Sequence, residues 1–323
     1  MQVTSSSPTM VEAPAARPPV SRQRHSRHLG TIIIFLLPGV ILYLVFIFLP
    51  VLQAIYYSLY SWSGLGPLTN FIGFTNYVTA FKSATFLSSF VHNLEILVLS
   101  LVFQLTLALA LALTLGKTLP GRTFFRTIYF MPYILSEVIS GVIWTYIYEP
   151  TGGLLNNALQ HIIPGFQPQS WMADTRLVLI AIFVAMIWKY FGLHLVLYVA
   201  ALQNIPDEVV EAARIDGAST YQVMRYINLP LLSSTIRLTI FLSALGSLQY
   251  FDLIWVMSQG GPVHASETMA TYLYKAGFQS FSMGYGSAVG VIMMVICFIF
   301  SILYQRFIMR RDLAGSITST ETF

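Results

Sequence analysis

Six stretches of the chain are apolar for long enough to cross a bilayer: near residues 31–57, 94–116, 127–148, 176–202, 236–258 and 284–308. About 20 consecutive apolar residues in a helix cover the hydrocarbon core. The first, second and sixth runs are free of charge through their centres. The other three each carry an ionisable group inside the run, Glu137, Lys189 and Asp252. The pattern predicts an all-α, polytopic membrane protein with six transmembrane helices.

Composition agrees with the pattern. Of 323 residues, 56% are hydrophobic and 9% charged, and the mean hydropathy is +0.70. Soluble domains carry roughly 25% charged residues, so this chain cannot coat a water-exposed globule of its length. Residues 1–30 are rich in Ser, Pro, Thr and Ala and then basic, which predicts a disordered cytoplasmic tail. The apolar run that follows is too long for the core of a signal peptide and lacks a clean cleavage site, so it reads as a retained first span. Residues 311–323 read as a second tail.

The distribution of positive charge sets orientation. Arg17, Arg22, Arg24 and Arg27 precede the first span; Lys117, Arg122 and Arg126 lie between the second and third. Arg214, Arg225 and Arg237 connect the fourth to the fifth, and Arg306, Arg310 and Arg311 follow the sixth. The opposite side holds only Lys82, Arg176 and Lys275, thirteen cations against three. Cytoplasmic loops are the ones enriched in Lys and Arg, so both termini are expected in the cytoplasm.

The connection from 204 to 232 carries its own local code. Pro206 suits the first position of a helix, and Asp207 and Glu208 complement the helix dipole in its first turn. Gly217 permits a helix stop, and Ser219 with Gln222 fits a capping box for a second helix, which Leu229-Pro230 would end. Four carboxylates and one arginine lie between Asp207 and Asp216, on the side otherwise populated by cations. With Ala212, Ala213, Gly217 and Ala218 they make an acidic knob of small residues, suited either to solvent or to the basic groove of a partner.

The run Glu211-Ala212-Ala213, then Asp216-Gly217-Ala218, then Ile227 and Leu229-Pro230, resembles the EAA motif of ABC importer permeases. A second set narrows the resemblance: Phe251-Asp252-Leu253-Ile254, Ser258-Gln259-Gly260-Gly261-Pro262, Tyr272-Leu273-Tyr274, Phe278 and Gly284-Tyr285-Gly286-Ser287-Ala288. With Arg126 to Pro132 and Trp144, these are similar to carbohydrate-uptake permeases of the maltose and glycerol-phosphate type, and within them to the first permease of a heterodimeric pair. The resemblance covers residues 30–310. It departs at Gly192, where many relatives carry proline, and at Ser258, which replaces a frequent threonine.

The resemblance implies the type I ABC importer permease fold over residues 31–310, with Glu211, Ala212, Ala213, Asp216 and Gly217 coupling to an ATPase. It implies a second permease, two ATPase subunits, an extracytoplasmic sugar-binding protein and a sugar substrate, in a bacterial or archaeal cytoplasmic membrane. ATP and magnesium would be bound by the partner ATPase, with no cofactor or metal in this chain and no nucleic acid as partner.

The residues also suggest a path for cargo. Ionisable groups at mid-membrane usually face a protein interior or a wet pathway, and Lys189 lies among Trp188, Tyr190 and Phe191. Ser243, Ser247 and Tyr250 follow at i, i+4 and i+7, a polar stripe if the helix is continuous. Rings beside hydroxyls suit a sugar, with its apolar CH faces and polar edges. The family resemblance puts substrate contacts on Lys189, Tyr190, Leu193, Ser243, Ser247 and Tyr250. The serines could instead allow close helix packing, and Lys189 could be the internal partner of Glu137 or Asp252.

Catalytic signatures are missing. Gly116-Lys117-Thr118 echoes the end of a phosphate-binding loop, but Leu111 stands where its first glycine belongs and the preceding residues are a span. The histidines are scattered, with His92, His161 and His264 near exterior loops, and the lone Cys297 sits in an apolar run. A transport role without its own enzymatic site is expected. The alternative, a stand-alone secondary transporter, would predict repeated halves, and only one EAA-like loop is present.

Overall fold

The computed structural model describes residues 25–115 and 122–309. The tails over 1–24 and 310–323, with Arg17, Arg22, Arg24, Arg310 and Arg311, lie outside the described residues, as does Gly116-Lys117-Thr118. Two units divide the chain, Met1–Leu52 and Gln53–Phe323. Among the described residues the structure is helical, with one isolated antiparallel bridge, Tyr60 to Phe71.

The first helix, α1, runs from His25 through a π turn at Leu44–Phe48 to Tyr57. It therefore starts inside the segment expected as a tail up to residue 30. The π turn has a cause. Leu49 N–H bonds back to Leu44 O, and Leu49 precedes Pro50. Proline removes a donor and its ring crowds the carbonyl four residues back; widening the turn by one residue relieves both.

Two corrections concern the ends and continuity of spans. The second span, α3 (Ala84–Thr114), follows the short α2 (Thr75–Lys82) and begins well before residue 94. Ser83 caps it by accepting from Phe86 N–H. Its polar early turns are satisfied internally, Asn93 donating to Ser247 O at 2.6 Å and accepting from Met269 N–H at 2.9 Å. The third span is broken into α4 (Arg122–Ile134) and α5 (Glu137–Ile147), with a bend of 98°. Ser136 accepts from Ile139 N–H and Glu137 occupies the first turn of α5, so polar capping restarts the helix after Leu135.

A surface helix, α6 (Leu154–Ile162), leads to the fourth span, α7 (Val178–Gln203), which is straight and central. It packs against both α3 and α4. Gly192 explains the second contact: a Cβ there would sit 1.9 Å from Tyr129 O. The position where relatives often carry proline is therefore a close-approach site in an unbroken helix.

After α8 (Asp207–Ile215), helix α9 starts at Thr220–Val223 and continues through a π turn at Met224–Asn228 to Leu229–Leu231. The helix ends at Leu231, one residue past Pro230, as expected from the Leu229-Pro230 pair. Leu229 N–H bonds to Met224 O, the same widening that precedes Pro50. The fifth span is α10 (Ser233–Leu248) and α11 (Asp252–Met257), separated at Gln249–Phe251. Helix α12 (Met269–Tyr274) and the sixth span, α13 (Met283–Tyr304), complete the chain's described part.

Candidate functional site

The 204–232 connection folds as a helical hairpin. Pro206 is the residue flanking α8 rather than its first member, with ψ 136°. Gly217 has φ +84°, a left-handed conformation that costs a side-chain-bearing residue energy. Ala218 N–H bonds to Ala213 O and Gly217 N–H to Arg214 O, the two-bond pattern that closes a helix at a left-handed glycine. Ser219 and Gln222 then form a reciprocal capping box, with Ser219 N–H to Gln222 Oε1 at 2.7 Å.

On this hairpin Glu211, Ala212, Asp216 and Gly217 are exposed and Ala213 is half-buried. Sequence reasoning missed two neighbours, Ile215, 85% exposed at the hairpin's tip, and Tyr221, 66% exposed. Large apolar side chains held in solvent beside carboxylates mark a surface made to be covered. A cavity of about 500 Å³ lies under the hairpin, with Glu211 and Arg214 on its wall.

Within the span region, a cavity of about 270 Å³ opens between α3, α4, α7 and α10. From α7 it takes Met186, Tyr190, Leu193 and His194; from α10, Leu242, Ser243, Gly246 and Ser247. Tyr250 lines it from the break after α10, Tyr133 from α4, and Ser100 with Gln104 from a π turn in α3. Tyr190, Leu193, Ser243, Ser247 and Tyr250 thus meet at one place. The expected stripe is not one continuous helix, because α10 ends at Leu248 and Tyr250 belongs to the turn.

Lys189 does not line this cavity. Its side chain is 2% exposed, and its Nζ donates to Leu135 O at 2.5 Å and lies 3.6 Å from Glu137 Oε1. Of the two internal partners considered, the structure selects Glu137; Asp252 is exposed in the first turn of α11. The ammonium fills the break in the third span, where the carbonyl of Leu135 is released from helical bonding. Glu137 Oε1 also accepts the Tyr190 hydroxyl.

Two cavity side chains are left with unused polar atoms. Tyr250 is 8% exposed and His194 3% exposed; among the described residues His194 Nδ1 has no hydrogen-bond partner, and the Tyr250 hydroxyl has the Tyr190 hydroxyl as its neighbour, at less than full hydrogen-bonding geometry. Tyr190 stands edge-on to Tyr250, ring centroids 6.1 Å apart, but its own hydroxyl is committed to Glu137. Unpaired buried polar groups are costly and rare, and both atoms belong to residues that line the cavity. His194 was missed in the sequence although it follows Tyr190 by four residues, one turn along the same face. Ser100 and Gln104, also four apart, carried the same signal on α3.

On the other side of the spans, the Gly260-Gly261-Pro262 segment is folded back on itself. Ser258 Oγ lies 2.8 Å from Ser266 Oγ and accepts from Gly260 N–H at 3.1 Å, so the serine that replaces threonine keeps the hydroxyl in use. Gly261-Pro262 is cis. Glu267 is fully buried, paired with His264 and with Lys275 at 3.2 Å, and its carbonyl meets His92 Nδ1 at 2.8 Å. Among the described residues no cluster of His, Cys, Asp and Glu is arranged to hold a metal.

Known proteins resemble most of this chain. A family model described as binding-protein-dependent transport system inner membrane component matches residues 1–312. The probable ABC transporter permease protein PH1215 of Pyrococcus horikoshii is 34% identical over 87% of this chain and 96% of its own. A diacetylchitobiose uptake system permease protein of Streptomyces coelicolor is 29% identical over 81% of this chain and 77% of its own. In a solved bacterial alginate ABC transporter, in complex with alginate pentasaccharide-bound periplasmic protein, one chain superposes with a TM-score of 0.77. That likeness covers 87% of this chain and 94% of the other at 24% identity.

Proposed function

The chain belongs to the binding-protein-dependent transport system inner membrane component family, and from that premise we propose that it is the permease subunit of an ABC importer that admits a saccharide. The chain has the helical permease fold, with five helices among the described residues able to span a membrane and a sixth if the broken pair is one span. It would sit in a bacterial or archaeal cytoplasmic membrane beside a second permease, as the first of a heterodimeric pair. An extracytoplasmic binding protein would deliver the sugar, and two ATPase subunits would bind ATP and magnesium and supply the energy.

One observation carries this reading: the helices that flank the hairpin are those that wall the cavity. Helix α7 runs from Tyr190 and His194 to Gln203, just ahead of α8. On the far side α9 passes into α10 with little interruption, Leu232 N–H bonding to Asn228 O and Ile236 N–H to Leu232 O. A displacement of the hairpin by a partner is therefore applied to the helices that hold Tyr190, Leu193, Ser243 and Ser247. Exposed Glu211, Asp216 and Ile215 give that partner charge and apolar surface to grip.

The cavity supplies what a sugar needs: hydroxyls and an imidazole for its OH groups, and tyrosine rings for its CH faces. The test is uptake of labelled oligosaccharides by cells carrying the complete transporter. Uptake should stop when the ATPase is inactivated and should survive a proton ionophore while ATP is maintained. Loss with the ionophore alone would instead identify an ion-coupled secondary transporter. Reporter fusions after Arg306 and after Gly153 should mark opposite faces, as the positive charge requires; agreement between them would refute the orientation.

A further inference from the structure

The cavity walls hold no Asp, Glu, Lys or Arg, yet two residues of opposite charge stand directly behind them. Lys189 is the residue before Tyr190, and its Nζ is 5.7 Å from the Tyr190 ring centroid. A lone ammonium at this depth would project a strong field into a region of low dielectric. It is not alone. Glu137 Oε1 lies 3.6 Å away and Leu135 O accepts its proton at 2.5 Å. Beyond the pair itself the two charges nearly cancel, so Lys189 contributes only the weaker field of a dipole, and the other charge acting on Tyr190 and Tyr250 is the Asp252 carboxylate, which also disfavours anions.

Glu137 acts on the wall in a second way. It accepts the Tyr190 hydroxyl, which fixes the ring that lines the cavity. The remaining cavity groups, Ser100, Gln104, His194, Ser243, Ser247 and Tyr250, are donors and acceptors, and among the described residues His194 forms no ion pair.

We propose that Glu137 is a specificity-determining residue that masks Lys189, so that the cavity takes uncharged saccharides and disfavours those bearing a carboxylate or another fixed anion. This rests on the reading of the cavity as the permease's sugar path. An anionic sugar entering it would give up its hydration without meeting a free cation. Removing the mask should shift that bias toward anions, because Lys189 would lose its contacting counter-charge, leaving Asp252, two residues beyond Tyr250, as the remaining carboxylate acting on Tyr190 and Tyr250.

The experiment is uptake by cells carrying the complete transporter, with neutral disaccharides (maltose, cellobiose, trehalose) beside disaccharides containing a uronic acid. The wild type should import at least one neutral sugar faster than any acidic one. Glu137→Gln should raise the acidic-to-neutral uptake ratio on the order of tenfold, the scale of a close charge pair. Glu137→Gln combined with Lys189→Met removes both charges and should return the ratio to that of the wild type. A merely structural role would slow all sugars alike and leave the ratio unmoved, and that result overturns the proposal. So does a wild type that prefers the acidic sugars, a result that needs no variant to fold. If no sugar of either kind enters, the permease reading has failed and the inference falls with it.

Discussion

Tyr198 and Thr239 join their hydroxyl oxygens at 2.6 Å where α7 crosses α10, one at 1% and the other at 0% exposure. Thr239 already spends its proton on Ile236 O at 2.9 Å, so Tyr198 is the donor. This bond ties together the two helices that wall the cavity, on the side nearer the hairpin. Thr239→Val should leave the tyrosine proton unmet and cost about 1–3 kcal/mol. Tyr198→Phe should cost less, and the double variant should recover most of the loss. Thermal unfolding of the four detergent-solubilised proteins checks this; additive losses would show that the two oxygens are not coupled.

Gly192 makes a sharper steric case. Its missing Cβ leaves room for Tyr129 O, which would otherwise be 1.9 Å away. Gly192→Ala must push α4 from α7, and overpacking of this kind costs about 1–3 kcal/mol. Because α4 carries Tyr133 into the cavity, sugar uptake should fall along with stability. A variant with wild-type melting behaviour and uptake would refute the close approach.

The hairpin separates backbone strain from partner contact. A Cβ on Gly217 meets nothing within 4 Å in this chain, but the residue sits at φ +84°. Gly217→Leu should therefore cost about 1–2 kcal/mol through conformation alone and place new bulk on the exposed turn. Glu211→Lys should leave stability unchanged and reverse one charge on the same surface. Both should depress sugar-stimulated ATP hydrolysis by the assembled transporter, with sugar binding to the isolated extracytoplasmic protein untouched. Normal stimulation in both would remove the hairpin from the coupling role.

What could be read from the sequence followed the range of the interactions involved. The hairpin was legible because its code is local: Gly217, Ser219 and Gln222 act within a few residues of one another. Spans were legible as apolar runs, but their interruptions less so. Leu135-Ser136 is one polar residue in an apolar stretch, and only the pairing of Ser136 with Glu137 as cap and first-turn acid hinted at a restart. The early start of α3 was hidden because Asn93 finds its partners at Ser247 and Met269, far along the chain. Tyr190, Ser243 and Tyr250 could be named from two segments, and His194 shares the face of Tyr190, whereas Gln104 and Tyr133 join them only once four segments converge. Pro230 marked the helix end to within one residue, while the π turn that precedes it carried no local signal.

Tyr250 offers the test in which stability and transport should move apart. Its hydroxyl is buried short of a full hydrogen bond, with the Tyr190 hydroxyl as its neighbour, and a poorly paired atom of this kind costs the folded state up to about 1–3 kcal/mol. A residue kept only for packing would do better as phenylalanine, which fills the same space without the polar atom. Tyr250→Phe should therefore unfold at the same temperature as the wild type or a higher one. If the hydroxyl meets cargo, the same substitution removes one hydrogen bond, about 1 kcal/mol, or roughly a fivefold loss of occupancy at low sugar concentration. Uptake should fall by about that factor for sugars with a hydroxyl in reach, while complex assembly and basal ATP turnover persist. His194→Phe should lower uptake in the same way, since Nδ1 is the other unpaired atom in the cavity. The decisive comparison is uptake across a sugar panel beside melting temperature for each variant. A stabilised Tyr250→Phe protein with wild-type rates for every sugar would make the tyrosine a packing residue and move the cargo's path elsewhere.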